Sequence, residues 1–444
     1  MKSKTIKTVK KIKSIAVVFF LFALISALFS CSESPAEPAS EATIESGTNE
    51  TNGPNETKGS DDMQMQTNQP DQTDDGYLRL ITDVKRTEEN LLSNFIDMYH
   101  STVLKEQLPG CEGYPYTMWF FGWAVSDTNP GYPGCDAIFL ARGKDLYTWE
   151  VWAGEDKWDD PHNPTNWVPI ICADVNAWYD NWHNGDPSVV RRDGKYYMMY
   201  SSYASGPDMK FSWEAGDVDG DFCCVMGAYS DDGIHWTKSE EPILMWEPEM
   251  GNPEFSAHQL SADAENFRGL YHRPSLMFDE GMGKWRIWFD YFDGTYLSVG
   301  YAEAEADADI MKRSSWTELY SGDNPMFRNF PNPDVIKIDG AYYMFADPGV
   351  SGHGPNPEIA PPTGWPDRQI LIAVSDDGYA WRLAGWIAPD SDTPANQIPC
   401  GYYENGVLYI YYAAQIGDEG SGEYNWRYDR IRVIEINKEE FEKW

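Results

Sequence analysis

Basic residues are scarce in this chain: 34 Lys and Arg stand against 71 Asp and Glu, a formal charge of −37. Six of those lysines lie between Lys2 and Lys13, and without that acid-free leader the charge falls to −43. Nothing in such a composition offsets phosphate repulsion, which argues against nucleic acid as a partner. A soluble acidic surface is the plain reading. Cysteine is also scarce. Beyond Cys31 there are Cys111, Cys135, Cys172, Cys223, Cys224 and Cys400, and none takes C-x-x-C spacing, so neither a zinc nor a dithiol redox site is indicated. Large apolar side chains are almost missing from Cys31 to Asp75, a stretch of Ser, Glu, Pro, Thr, Asn and Gly. It cannot bury enough surface to offset the entropy of ordering and reads as a flexible tether.

The start of the chain reads as a targeting signal. Lysines precede an apolar run from Ile15 to Phe29, as in a secretory leader. The run ends in Leu28-Phe29-Ser30-Cys31, which resembles a bacterial lipobox with Cys31 as the lipidated residue. Phe29 is unusual inside a lipobox, so a plain signal peptide or membrane anchor remains the alternative. The organisation expected is therefore a lipoprotein signal at 1–30, a low-complexity linker at 31–75 and one folded domain at 76–444. The location expected is the cell envelope, lipid-anchored at the outer membrane or cell surface. Export permits disulfides without requiring them.

The folded part is built on repeats. DPSVVRRDGKYYMMYS, from Asp186 to Ser201, recurs as RPSLMFDEGMGKWRIWF from Arg273, NPDVIKIDGAYYMFA from Asn332 and IPCGYYENGVLYIYYA from Ile398. A degenerate copy, LPGCEGYPYTMWFFGW, starts at Leu108. The prolines Pro109, Pro187, Pro274, Pro333 and Pro399 open the copies about 60 to 90 residues apart, a repeat signature of propeller type. Asp193-Gly194, Asp339-Gly340 and Asn405-Gly406 supply hairpin turns that need positive φ. A second turn, SDDGIHW at Ser230 and SDDGYAW at Ser375, has a relative in GKDLYTW at Gly143 and a weaker one near Trp316. Each copy thus reads as four antiparallel strands, and five copies as an all-β, five-bladed propeller.

Short turns on one face leave the long connections on the other: 126–136, 155–185, 247–271 and 347–367. Long loops on a rigid scaffold usually carry function. A proline fits best at the start of an inner strand, so the residues flanking it rim a central funnel. These are Asp186 and Ser188, Arg273 and Ser275, Asn332 and Asp334, Ile398 and Cys400, with Leu108 and Gly110 in blade one. The same register makes Cys111 and Cys400 neighbours across the closing seam, where a disulfide would staple the ring. Residues 87–99 read as a short amphipathic helix, with Leu91, Phe95 and Met98 on one side. The ring-closing strand is expected from 77–84 or from 430–436.

With these motifs the chain resembles the five-bladed propeller glycoside hydrolases, the group holding families 43, 32, 62, 117 and 130. The likeness rests on the DPSV…DGKYYMMYS run and the SDDG-x-x-W turns, and covers roughly Pro109 to Ile436. It implies an acid/base pair across the scissile bond of a poly- or oligosaccharide. Asp186 matches the aspartate-proline motif and would be the base. Asp334 would tune a partner or cap its strand. Glu265, Glu254 and Asp136 are candidates for the acid. Arg273 would hold substrate hydroxyls or a sugar carboxylate, or merely neutralise Asp186. His272, His183 and Asn332 lie on the same rim, as does Trp182 among the long-loop tryptophans Trp158, Trp167, Trp178, Trp246 and Trp365, which suit sugar stacking or core packing. No cofactor is expected; related folds hold a central calcium, but no EF-hand-like spacing occurs here. Two departures stand out: blade one offers no acid, and the Glu-Gly-Pro motif that often carries the acid is missing. They favour, as the alternative, a non-catalytic carbohydrate-binding propeller. A phosphorylase would need a basic phosphate site, for which only Arg273 and Arg268 are at hand.

Overall fold

A computed structural model of the chain describes residues 78–93, 98–123, 136–174, 176–177, 179–180, 183–204, 210–212, 217–219, 222–246, 270–293, 297–349, 359, 362, 365, 368–389, 395–415, 429–441 and 443. The described chain opens with two short strands, β1 (Arg79–Ile81) and β2 (Lys85–Arg86). Blade one follows as β3 (Met98–Leu104), β4 (Tyr116–Trp123), β5 (Asp136–Gly143), β6 (Trp149–Trp152) and β7 (Trp158–Asp159). Blade two has β8 (His183–Arg192), β9 (Lys195–Ala204), a small hairpin of β10 (Lys210–Ser212) and β11 (Asp217–Asp219), then β12 (Phe222–Ser230) and β13 (Thr237–Lys238). Blade three is β14 (His272–Asp279), β15 (Lys284–Phe292), β16 (Leu297–Glu305) and β17 (Thr317–Tyr320). Blade four is β18 (Asp334–Ile338), β19 (Ala341–Ala346), β20 (Leu371–Ser375) and β21 (Arg382–Ile387). Blade five is β22 (Asn396–Glu404), β23 (Val407–Gln415) and β24 (Asp429–Asn437).

The N-terminal strands complete the last two blades. β2 pairs antiparallel with β24 as the outer strand of blade five, and β1 lies parallel to β21 at the edge of blade four. Of the two closing segments named from the sequence, 430–436 lies inside β24 of blade five, whereas 77–84 supplies β1 at the edge of blade four and the strand covering β24 follows it at Lys85–Arg86. Residues 87–93 are not helical. Thr87 and Leu91 donate their amides to Val433 and Ile431 carbonyls, so the segment runs extended along β24. Three apolar residues are too short a pattern to separate a helix from an edge strand.

The aromatic density of the strands follows from the ring. Five apolar clusters occur among the described residues, one in each seam between neighbouring blades. Successive residues of a strand point to opposite faces, so Met198 enters the seam with blade one and Met199 the seam with blade three. Trp119 and Phe120 likewise divide between the two seams of blade one. A sheet buried on both faces wants continuous apolar runs rather than alternation.

The predicted turns form as expected. Asp193-Gly194, Asp339-Gly340 and Asn405-Gly406 all have both φ values positive, between 51° and 95°. In the SDDG turns, Ser230 Oγ accepts the Asp232 and Gly233 amides, while Asp232 Oδ1 accepts those of Ile234 and His235. Ser375 and Asp377 repeat this set of bonds in blade four.

Blade one requires a correction. Its inner strand is β3, and Leu108-Pro109-Gly110 lies in the connection to β4, where Gly110 has φ +74. Register taken from prolines fails here because Ser101 stands where the other inner strands carry proline. Cys111 consequently sits in that connection and Cys400 in β22; both thiols are free and buried.

Candidate active site

The inner strands share a backbone irregularity that aims side chains at the mouth. His100, Asp186, Arg273, Asn332 and Ile398 all have positive φ, from 40° to 57°. In blades one, two, three and five the ladder skips a residue at this point, between Tyr99 and Ser101, Gly185 and Ser188, His272 and Ser275, and Gln397 and Cys400. These are β-bulges, which re-aim a side chain and cluster at functional sites. A non-glycine residue in this region costs on the order of 1–3 kcal/mol, so the surrounding bonds must offset it. Blade one therefore presents His100 at the mouth, not Leu108.

Two sets of side chains provide those bonds. Two residues past each bulge, a polar group grips the next blade. Thr102 Oγ1 accepts the Val189 amide, Ser188 Oγ that of Leu276, Ser275 Oγ that of Val335, and Asp334 Oδ2 that of Gly401, at 2.7–3.3 Å. Asp334 also accepts from Ser275 Oγ at 3.0 Å. Burial raises its pKa to about 6, against these hydrogen bonds. Cys400 holds the fifth position beside the Ser101 backbone, its thiol pushed well up by burial.

The second set comes from the neighbouring strand. Ser201 Oγ accepts the bulge amide of Arg273 at 2.7 Å, Asp290 Oδ2 that of Asn332 at 2.9 Å, and Asp347 Oδ2 that of Ile398 at 3.1 Å. In the other two blades the same register holds Phe121 and Ala413, which have no acceptor. Phe121 instead stacks on Tyr99 with ring centroids 4.1 Å apart. It leaves no room for a side chain at Gly185, whose added Cβ would stand 2.6 Å from its ring.

A charged arc runs round the mouth from these positions. Arg273 lies between two carboxylates, Nε 3.8 Å from Asp186 Oδ1 and Nη1 3.7 Å from Asp290 Oδ2. The span of the guanidinium then limits the separation of those oxygens to about 10 Å. His272 Nδ1 hydrogen-bonds Asp290 Oδ1. Asn332 Nδ2 donates to Asp347 Oδ1, and Arg368 grips Asp347 Oδ2 through Nη2 at 2.6 Å and Nε at 3.1 Å. In blade five, Gln397 Nε2 donates to Asp429 Oδ2. Burial raises the Asp347 carboxyl, with Arg368 pulling it back. Burial raises the Asp429 carboxyl well above the usual carboxylate range despite Arg368 and Gln397, which favours its protonated form.

His100 Nδ1 is 3.8 Å from Asp186 Oδ1, and both residues are nearly sealed from solvent. Burial lowers the imidazole pKa to about 4, Asp186 opposing and Arg273 assisting. For Arg273 burial opposes the charge, but Asp186 and neighbouring groups raise its pKa overall. His100 Nδ1, Asp186 Oδ1, Arg273 Nε, Asn332 Oδ1 and Asp429 Oδ1 are buried without a hydrogen-bond partner. Buried polar atoms are almost always bonded, so five orphans along one arc mark a place for a polar ligand.

The structure brings together Asp186, Arg273, His272 and Asn332 of the residues named from sequence. Asp334 belongs to the inter-blade bonds. His183 is buried with its ring edge to Tyr203, burial lowering its pKa to about 3. Asp136 opens β5 opposite Trp123; its side chain, and Glu265, Glu254, Trp182, Trp178, Arg268 and Cys31, lie outside the described residues. Trp167 is core, against Phe120 and Phe139, and Trp158 sits edge-on to Trp152. Sequence reasoning missed His100, Asp290, Asp347, Arg368 and Asp429. Asp290 and Asp347 had a signal, an aspartate near the end of the aromatic strand in two successive copies. A calcium ion takes six to eight oxygen ligands. Among the described residues no three His, Cys, Asp or Glu converge as a metal site, and the hydroxyls of Thr102, Ser188 and Ser275 are engaged between blades.

No protein-family model and no curated protein matches the chain. Solved structures do. A glycoside hydrolase is 14% identical with a TM-score of 0.51, covering 80% of this chain and 91% of that one. A BT0996 RGII complex is 15% identical with a TM-score of 0.52 over the same shares. Zg3597, a family 117 glycoside hydrolase of the marine bacterium Zobellia galactanivorans, is 13% identical, covering 81% and 91%, with a TM-score of 0.49. The fold is that of the propeller glycoside hydrolases. At this identity the likeness is one of fold, and the chemistry has to be argued from the mouth itself.

Proposed function

We propose that the chain is a glycoside hydrolase acting on neutral poly- or oligosaccharides at the mouth of the propeller. The observation that carries this reading is the arc of buried, unpartnered polar atoms, which mixes donors and acceptors as a polyhydroxylated ligand requires. Neutral sugar is favoured because each guanidinium already faces carboxylates: Arg273 has Asp186 and Asp290, and Arg368 has Asp347. A uronate would add to a surplus of negative charge, and a phosphate would do so more strongly. Asp186 supplies a carboxyl group beside the Arg273 cation on the base side, and Asp429 one whose burial favours the protonated form. Asp290 is within reach of Asp186 but is held by His272, Asn332 and Arg273. No cofactor enters this chemistry. The lysine-rich leader and Cys31 support export and lipid anchoring at the cell envelope.

One observation favours the second reading, a carbohydrate-binding propeller without turnover: blade one carries a histidine where an acid is expected. The test is sugar release and binding on a panel of neutral oligosaccharides, with the full chain and its D186N variant. Release that D186N abolishes supports hydrolysis. Binding without release from any substrate sinks it, and full activity in D186N sinks the assignment of Asp186.

A further inference from the structure

We infer that His100 is the proton acceptor of the reaction, its Nδ1 taking a proton from the attacking water while Asp186 steadies the imidazolium that results. The inference rests on the hydrolytic reading above and replaces the base role given to Asp186 by its motif.

Geometry carries it. His100 occupies in blade one the bulge position that Asp186 occupies in blade two, at φ 40°, where only a strongly constrained side chain is tolerated. A histidine kept for packing alone would have its ring nitrogens bonded, yet Nδ1 is buried with no partner. It faces an equally unpartnered oxygen, Asp186 Oδ1, across 3.8 Å. That gap is too long for a direct hydrogen bond, and both atoms are sealed from solvent, so the attacking water has to enter with the substrate. Arg273 Nε, the third orphan, stands 3.8 Å from the same Asp186 oxygen. Asp186 and Arg273 are the charged groups facing the imidazole, and burial outweighs Asp186 to keep the ring neutral near pH 7. A neutral ring with Nδ1 unprotonated is what a general base needs, and the nearby Asp186 carboxyl group can stabilise the imidazolium by charge.

The step balances as a single displacement. The water oxygen bonds to the anomeric carbon while its O–H bond breaks, the proton passing to His100 Nδ1. The glycosidic C–O bond breaks with its electron pair on the leaving oxygen, which takes the proton held by Asp429. Exchange with solvent then resets both groups.

His100→Gly provides a clean test, because glycine adopts positive φ without strain and the bulge should fold. With neutral 4-nitrophenyl glycosides, H100G should lose at least about 100-fold in kcat. Oligosaccharide binding by calorimetry should change less than about tenfold, a loss confined to the chemical step. Added imidazole should restore at least a tenth of the lost rate in H100G and none in H100Q, whose side chain fills the space without a base. Activity within threefold of wild type in either variant overturns the inference. So does failure of imidazole to rescue a folded, sugar-binding H100G, and so does loss of binding, which would make His100 a substrate contact. A wild-type chain that binds sugar and never releases it refutes hydrolysis itself, and the base with it.

Discussion

Blades three to five and blades one and two build the same inner-strand bulge but furnish it differently. At the entrances to blades three, four and five, Ser201, Asp290 and Asp347 each accept the bulge amide of the next blade. Around blade one the same positions are Phe121 and Ala413. In the bonded arc the polar side chains hold one another: His272 with Asp290, Asn332 with Asp347, Arg368 with Asp347. In the other arc His100 and Asp186 approach without bonding. The difference separates blades whose mouth groups mostly hold one another from the pair that meets without any bond, while Arg273 Nε, Asn332 Oδ1 and Asp429 Oδ1 remain open within the bonded arc. It also shows why a buried carboxylate alone is a poor sign of catalysis.

The sharpest way to break this comparison is to exchange the fates of the two arcs. D186N should cut kcat by about 10³-fold or more, as expected for a group acting at the transition state, with little change in Tm. D290A should do the reverse in its first effect, costing about 3–5 kcal/mol of stability by leaving buried partners uncompensated; chemical denaturation reads it. If D290A is stable and D186N unfolds, the division is wrong.

Asp429 gives a pH signature. Its folded pKa of about 8 lies above the unfolded value of roughly 4, so the native state holds a proton that the unfolded state releases in between. Its contribution to stability is full below about pH 4 and is lost as pH rises through about 8. Tm measured from pH 5 to 9 should therefore fall less steeply in D429N than in the wild type. The alkaline limb of kcat should also disappear along with most activity.

Smaller effects belong to the scaffold. S275A removes the hydroxyl that joins blade three to Val335 and Asp334, and should cost about 1–3 kcal/mol with kcat nearly unchanged. D232A, in an exposed repeat turn far from the mouth's bonds, should cost about 1 kcal/mol at most and leave activity alone.

Much of the fold was legible because it depends on local chemistry repeated several times. The Asp-Gly and Asn-Gly turns, the SDDG turns and the doubly buried aromatic strands each announce themselves in residues close in sequence. Blade one was misread because the proline that set the register is there Ser101, and the backbone geometry that makes the bulge leaves no single residue type behind. Asp186, Arg273 and Asn332 were readable as a ring since each precedes a proline. His100 was hidden by the same missing proline. Asp347, Arg368 and Asp429 come together only through the closed ring, from positions spread over blades four and five. Long-range pairing of that kind has no local signature.

The central claim is that the arc of orphaned atoms is where sugar binds. A crystal structure of the D186N variant with an uncleaved neutral oligosaccharide tests it most directly. The account predicts a sugar ring at the mouth, with oxygens within hydrogen-bond distance of Arg273 Nε and Asn332 Oδ1 and a water held between His100 Nδ1 and the anomeric carbon. Sugar bound on an outer blade face, with those atoms still without partners, would contradict it.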